Sequence, residues 1–134
     1  SIAVADTMNY EDAPRRATYS TNAHASGPQG DLHADKIEMY LKVSGSELDR
    51  VEAYANVTTQ DASRFATGDR LTYFAGDGRY LMLGAPAKVC ADFRETTGWT
   101  LEFSRDSNTM TVDGNEEDRT RMKSVGTCGK PRKD

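Results

Sequence analysis

Apolar and polar residues alternate with period two through most of the chain. The clearest runs are Ile37, Met39, Leu41; Val51, Ala53, Ala55, Val57; Leu71, Tyr73; Leu81, Leu83; Leu101, Phe103; and Met110, Val112. Such alternation predicts β-strands with one face on a core and the other in solvent. Helical periodicity is nearly absent. Between the runs lie turn clusters: Glu11-Asp12-Ala13-Pro14, Ser26-Gly27-Pro28-Gln29-Gly30, Ser44-Gly45-Ser46, Gly76-Asp77-Gly78 and Arg105-Asp106-Ser107-Asn108. Their Gly, Pro, Asn and Asp content supplies the backbone angles that chain reversals need.

The alternation is itself repeated. Ala5-Asp6, Ala34-Asp35, Gly68-Asp69 and Gly98-Trp99 each open an apolar-polar-aromatic run, and a second run then closes at Asn22, Asn56, Pro86 and Asn115. A period of roughly 30 residues lies in the range of stacked repeat architectures. Aligning the repeats on these markers gives interior columns Met8, Ile37, Leu71, Leu101 and Tyr10, Met39, Tyr73, Phe103 for the opening halves. The closing halves give Ala17, Val51, Leu81, Met110 and Tyr19, Ala53, Leu83, Val112. Small residues, Thr21, Ala55, Ala85 and Gly114, precede each closing marker and predict a tight bend or a close backbone approach. Each repeat is therefore two strands joined by a turn, with a corner before the next. An open array of this kind leaves edge strands, a liability in a monomer and a docking device in an assembly.

At 134 residues the chain is most simply one domain, 1–123, followed by a tail, 124–134. Only 37% of residues are hydrophobic, which suits a layer of strands with one wet face. No stretch approaches the ~20 apolar residues of a membrane span. Ser1-Ile2-Ala3-Val4-Ala5 has neither a basic nor an apolar leader region, so any signal or anchor is expected to be removed or left out. The net charge of -4 argues against nucleic acid as a partner. Cys90 and Cys128 have no further ligands at zinc spacing, and Cys128 lies in a Gly-rich segment poor in apolar residues. A disulfide between them is expected, in an oxidising compartment, worth roughly 4 kcal/mol by chain entropy.

Enzyme chemistry has no foothold. His24 and His33 flank the Gly27–Gly30 turn without a completing carboxylate or thiol, and read as exposed turn histidines. Glu116-Glu117-Asp118 reads as a solvated strand end rather than an acid/base pair. Phosphate-loop, nucleophile-elbow and dinucleotide motifs are missing, so no catalytic residue, cofactor or metal is assigned.

The order of the motifs resembles the OstA-like family of bacterial lipopolysaccharide-transport domains, of LptA or LptC type. The resemblance is carried by Ala5–Tyr10, Ala34–Tyr40, Val51-Glu52-Ala53-Tyr54-Ala55-Asn56-Val57, Thr67–Tyr73, Leu81–Val89 and Thr109–Asn115. It implies an all-β fold, an open, twisted β-jellyroll with an inner apolar groove, and a soluble or tethered periplasmic domain. It also implies a non-enzymatic carrier or bridge that shields acyl chains and joins other such domains, or copies of itself, edge to edge. The groove would be lined by Ile37, Met39, Val51, Ala53, Leu71, Tyr73, Leu81, Leu83, Leu101, Phe103, Met110 and Val112. Each buried CH₂ of an acyl chain offers ~0.8 kcal/mol, so such a groove needs no catalytic group. Arg15, Arg16, Arg119 and Arg121 are the candidate contacts for lipid phosphates. The alternative is a structural or adhesive repeat module whose interior is simply core.

Overall fold

The computed structural model describes residues 2–27, 30–44, 47–61, 64–104, 109–114 and 120–125. Ten strands follow one another: β1 (Ile2–Val4), β2 (Thr7–Glu11), β3 (Arg16–Gly27), β4 (Gly30–Leu41), β5 (Leu48–Gln60), β6 (Arg64–Phe74), β7 (Arg79–Ala91), β8 (Arg94–Ser104), β9 (Thr109–Asp113) and β10 (Arg121–Ser124). Among the described residues there is no helix. All pairings are antiparallel within one sheet, β1-β3-β4-β5-β6-β7-β8-β10, with β2 also on β3 and β9 also on β8.

The six long strands do not end at the repeat markers; they bend there and run on. Register shifts fall at Ser20/Ala23, His33/Lys36, Tyr54/Val57, Thr67/Arg70 and Leu83/Ala87, forming one crease across the sheet. At the crease Thr21, Asn22, Ala55 and Asn56 all take positive φ, between 51° and 68°, and Ala85–Pro86 is cis. Asn tolerates that conformation better than most residues, which accounts for the marker residue. Asn56 Nδ2 also donates to Asp35 Oδ2 at 3.0 Å, so the closing Asn of one repeat is held by the opening Asp of the neighbouring strand. Asn115 lies outside the described residues.

The crease folds the sheet into two facing leaves. The first carries β2, β9 and the halves of β3 to β8 whose columns were legible in the sequence. The second carries β1, β10 and the remaining halves. In the first leaf two inward rows run from edge to edge: Met8-Tyr19-Ile37-Ala53-Leu71-Met82-Leu101-Val112 and Tyr10-Ala17-Met39-Val51-Tyr73-Tyr80-Phe103-Met110. The second leaf answers with smaller residues, Ala3-Ala25-Leu32-Thr59-Ala66-Val89-Thr96. Near the crease Ala23, Ala34, Val57, Ala87, Gly68 and Gly98 bring the leaves into contact. A Cβ at Gly68 would lie 2.6 Å from Met82 Sδ, and one at Gly98 2.6 Å from Val112 Cγ1, so glycine is what permits the approach. Ile37, Leu71, Met82 and Leu101 are fully buried in this packed spine, each contributing about 1.5–3 kcal/mol of burial.

One predicted pair is corrected. Leu81 and Leu83 belong to the outer face: Leu83 is 40% exposed, whereas Met82 is 0% exposed. The bulge explains the shift. Two residues are left over between Ser20 and Ala23 and between Tyr54 and Val57, but three, Gly84-Ala85-Pro86, between Leu83 and Ala87. One extra residue at a strand bend inverts the inward parity of everything on its far side. Counting back from Pro86 therefore selects the wrong alternate residues, and Tyr80 and Met82 take the inward places.

Candidate functional site: a groove between the leaves

Away from the crease the leaves part, because the large first-leaf residues Met39, Tyr73, Tyr80 and Phe103 face the small second-leaf residues Ala25, Thr59 and Ala66. The gap is a cavity of about 440 Å³, within the size range of small-molecule and lipid sites. Leu71, Val51, Tyr19 and Ile2 line it together with residues flanking the hairpins of both leaves, Leu41 and Leu48 on the first and Gly27, Gly30, Asp61 and Arg64 on the second, so its mouth lies between those hairpin ends. Tyr73, Tyr80 and Phe103 form a continuous aromatic row with ring centroids 4.5 and 4.8 Å apart.

Of the predicted groove residues, Met39, Val51, Leu71, Tyr73 and Phe103 line this cavity. Ile37, Ala53 and Leu101 sit deeper, in the packed spine. Met110 and Val112 extend the two rows onto the edge strand β9. Leu81 and Leu83 face the other way. Tyr80, Met82 and the second-leaf wall of Leu32, Thr59 and Ala66 were missed. The wall was legible in principle, since Arg64 and Ala66 alternate from the bend, but its inward parity depends on the same bulges.

The basic residues redistribute more sharply. Arg16 is on the outer face, bonded to Glu11 Oε1 at 2.6 Å with its guanidinium over the Tyr40 ring, and the Glu11 hydrogen bond raises its pKa further. Arg15 sits in the β2–β3 turn at φ 51°. Arg121 stands on β10 opposite Thr97, exposed. None of these three lines the cavity. Arg119 lies outside the described residues. The arginine that does line it is Arg64, whose guanidinium carbon is 5.1 Å from the Phe103 ring centroid, reaching from the second leaf across to the first.

The outer face of the first leaf is a polar network rather than a second site. Glu38, nearly buried, accepts from Tyr40 Oη at 3.0 Å and Tyr54 Oη at 2.8 Å. Glu52 accepts from Arg70 at 2.9 Å and Thr72 at 3.2 Å. Burial pushes the Glu52 carboxyl up, but Arg70, Thr72 and Arg50 outweigh it and hold it below its ordinary value. Burial and the bond to Glu38 push the Tyr54 phenol up to about 12. Arg70, Lys36 and Arg50 lie over the Tyr54 and Tyr40 rings, covering the aromatic surface that would otherwise face water.

His24 and His33 are not in a turn. They are cross-strand partners on β3 and β4 with rings stacked 3.9 Å apart, His24 Nε2 lying 3.4 Å from Asp31 Oδ1. No group of three or more potential metal ligands occurs among the described residues. No helix of the described residues is long and apolar enough to cross a membrane. Cys90 is buried on β7 and is not a free thiol; its predicted partner Cys128 lies outside the described residues.

Residues 3–118 match the family model described as LptA/(LptD N-terminal domain) LPS transport protein. The chain belongs to this lipopolysaccharide-transport family. Its fold also matches a solved structure, LptH from Pseudomonas aeruginosa, the LptA-homologous periplasmic component of that organism's lipopolysaccharide transport device. The TM-score is 0.75, the identity 15%, and 94% of each chain is covered. No curated protein sequence matches the chain. The all-β, open jellyroll expected from the motifs is thus the fold of an LptA-type domain, and the family is one of transport proteins.

Proposed function

We propose that this LptA-type domain is a periplasmic carrier or bridge element that binds lipopolysaccharide non-enzymatically, shielding its acyl chains between the two leaves. The observation that carries the proposal is the cavity: an apolar gap of about 440 Å³ with an aromatic row across one wall, lying between leaves that pack together along the crease. Hydrocarbon bound there leaves water at ~0.8 kcal/mol per CH₂. Met39, on the cavity wall, suits an irregular guest because the thioether adapts its rotamers.

The same reading accounts for the edges. β1 and β2 bond β3 on one side, β9 and β10 bond β8, and these edge strands carry exposed apolar residues, Ile2 at 67%, Met8 at 60% and Met122 at 63%. Strand addition there by another domain of the family, or by a second copy, would cover them and prolong both inward rows across the junction. The Cys90–Cys128 disulfide belongs to the same proposal, tying the basic tail to β7 in an oxidising compartment.

The test uses a photo-crosslinking residue during active transport. At Phe103 or Tyr73 it should capture lipopolysaccharide; at Leu83, on the outer face, it should not. Adducts at Leu83 with none at Phe103, or none anywhere, would leave the interior as ordinary core and favour a structural module. Proline placed in β2 or β9 should abolish association with partner domains, and unchanged association would remove the edge-pairing part alone.

A further inference from the structure

Arg64 is the only basic side chain among the described residues lining the groove. Its backbone is fixed by a reciprocal turn, Arg64 N–H to Asp61 Oδ1 at 2.7 Å and Asp61 N–H to Arg64 O at 3.0 Å. From that anchor the side chain crosses the mouth to the Phe103 ring, 5.1 Å from its centroid, joining the second leaf to the aromatic row of the first. The crossing lies at the mouth, at the opposite end of the groove from the glycine-permitted contacts of the crease. A hydrocarbon chain entering along Tyr73, Tyr80 and Phe103 would meet the guanidinium lying on Phe103.

We infer that Arg64 is a latch over the groove, released when its guanidinium leaves Phe103 for the phosphate headgroup of an entering acyl lipid. This rests on the acyl-carrier proposal and adds to it a headgroup class and a residue. The exchange is physically favourable in direction. A cation over a phenyl ring at a wet rim is held weakly by that contact. A fork of charge-assisted hydrogen bonds to phosphate is stronger and is the interaction for which arginine geometry is suited. The two carboxylates on the same rim set a counter-field: Asp61 accepts the Arg64 backbone N–H, and Asp31 faces His24. They disfavour an anion beside them, which leaves the guanidinium as the favoured place on the rim for a phosphate. A neutral amphiphile offers the guanidinium nothing in return for Phe103 and has to displace it at cost.

The experiment titrates the purified chain with lipid A and with the same lipid A stripped of its phosphates, reading calorimetric Kd values at low and at physiological salt. The native protein should prefer the phosphorylated lipid by about tenfold, and salt should narrow the gap. In Arg64→Gln the preference should vanish while affinity for the stripped lipid is kept or improved, because the latch is gone. Arg64→Lys should retain part of the preference. Phe103→Leu keeps the cation and removes its platform, so the preference for the phosphorylated lipid should stay intact whatever the altered wall does to both affinities, and its loss would overturn the latch; this variant serves if the Gln variant does not fold. A native protein without preference, or an Arg64→Gln that keeps it, overturns the latch and leaves the carrier proposal standing. Failure of the native protein to bind either lipid overturns the carrier proposal, and the latch with it.

Discussion

Met82 and Leu83 are sequence neighbours that composition cannot distinguish, yet the bulge at Gly84-Ala85-Pro86 assigns them to opposite faces. Met82 is 0% exposed between Leu71 and Leu101, and Leu83 is 40% exposed opposite Arg70 and Thr100. Met82→Ala removes three heavy atoms from the spine, about 2.4 kcal/mol at ~0.8 kcal/mol each. If a void of about 60 Å³ persists, roughly 1.5 kcal/mol more is lost at ~24 cal/mol per Å³. For a chain of 134 residues, 1 kcal/mol corresponds to about 3–4 °C in melting temperature, so the expected fall is about 7–16 °C. Leu83→Ala should cost about 0.5–1 kcal/mol, or a few degrees. Thermal melts followed by far-ultraviolet circular dichroism measure both. The two sites also differ in their coupling to Gly68, whose added Cβ would lie 2.6 Å from Met82 Sδ and 2.8 Å from Leu83 O. Gly68→Ala should therefore be less harmful in the Met82→Ala background, by about 1 kcal/mol, with the backbone oxygen limiting the relief. Equal losses for the two single variants, or a larger one for Leu83→Ala, would refute the inverted parity and with it the assignment of Tyr80 to the groove wall.

Three further outcomes follow from the crease and the outer network. At Asn56, φ 51°, Gly should be tolerated within about 0.5 kcal/mol while Val costs about 1–3 kcal/mol, read from urea midpoints; a neutral Val would mean the bend is not confined to that backbone. Tyr54→Phe removes a donor to Glu38 and an acceptor for Arg70, and should cost about 1–2 kcal/mol by the same measurement. The Glu52 carboxyl is held below its ordinary 4.5 when folded, so it stabilises the fold above that pH and the contribution is lost as pH falls through the folded value. Urea midpoints from about pH 5 to about pH 3 should thus fall more steeply in the native protein than in Glu52→Gln, and parallel curves would dismiss the Arg70 pairing as a stabilising contact.

The residues themselves determined the strand class, the inward columns of three repeats and the position of every described bend of the crease. These are local matters. Period-two alternation follows from the pleat, and Asp, Asn and small residues mark the crease because positive φ and close approach restrict what can stand there. Even the family was legible in the order of those markers. What the sequence did not carry was anything that depends on counting through a bend. A bulge of three residues rather than two looks the same in a hydropathy pattern, yet it turns Leu81 and Leu83 outward and brings Tyr80 and Met82 in. Arg64 was hidden for a second reason: its importance lies in the ring it reaches, Phe103, which is remote along the chain and faces it only once the sheet has folded along its crease. Alternation says that a residue points to one side of its strand; only the closure of the two leaves decides whether that side is a groove, a packed spine or open water.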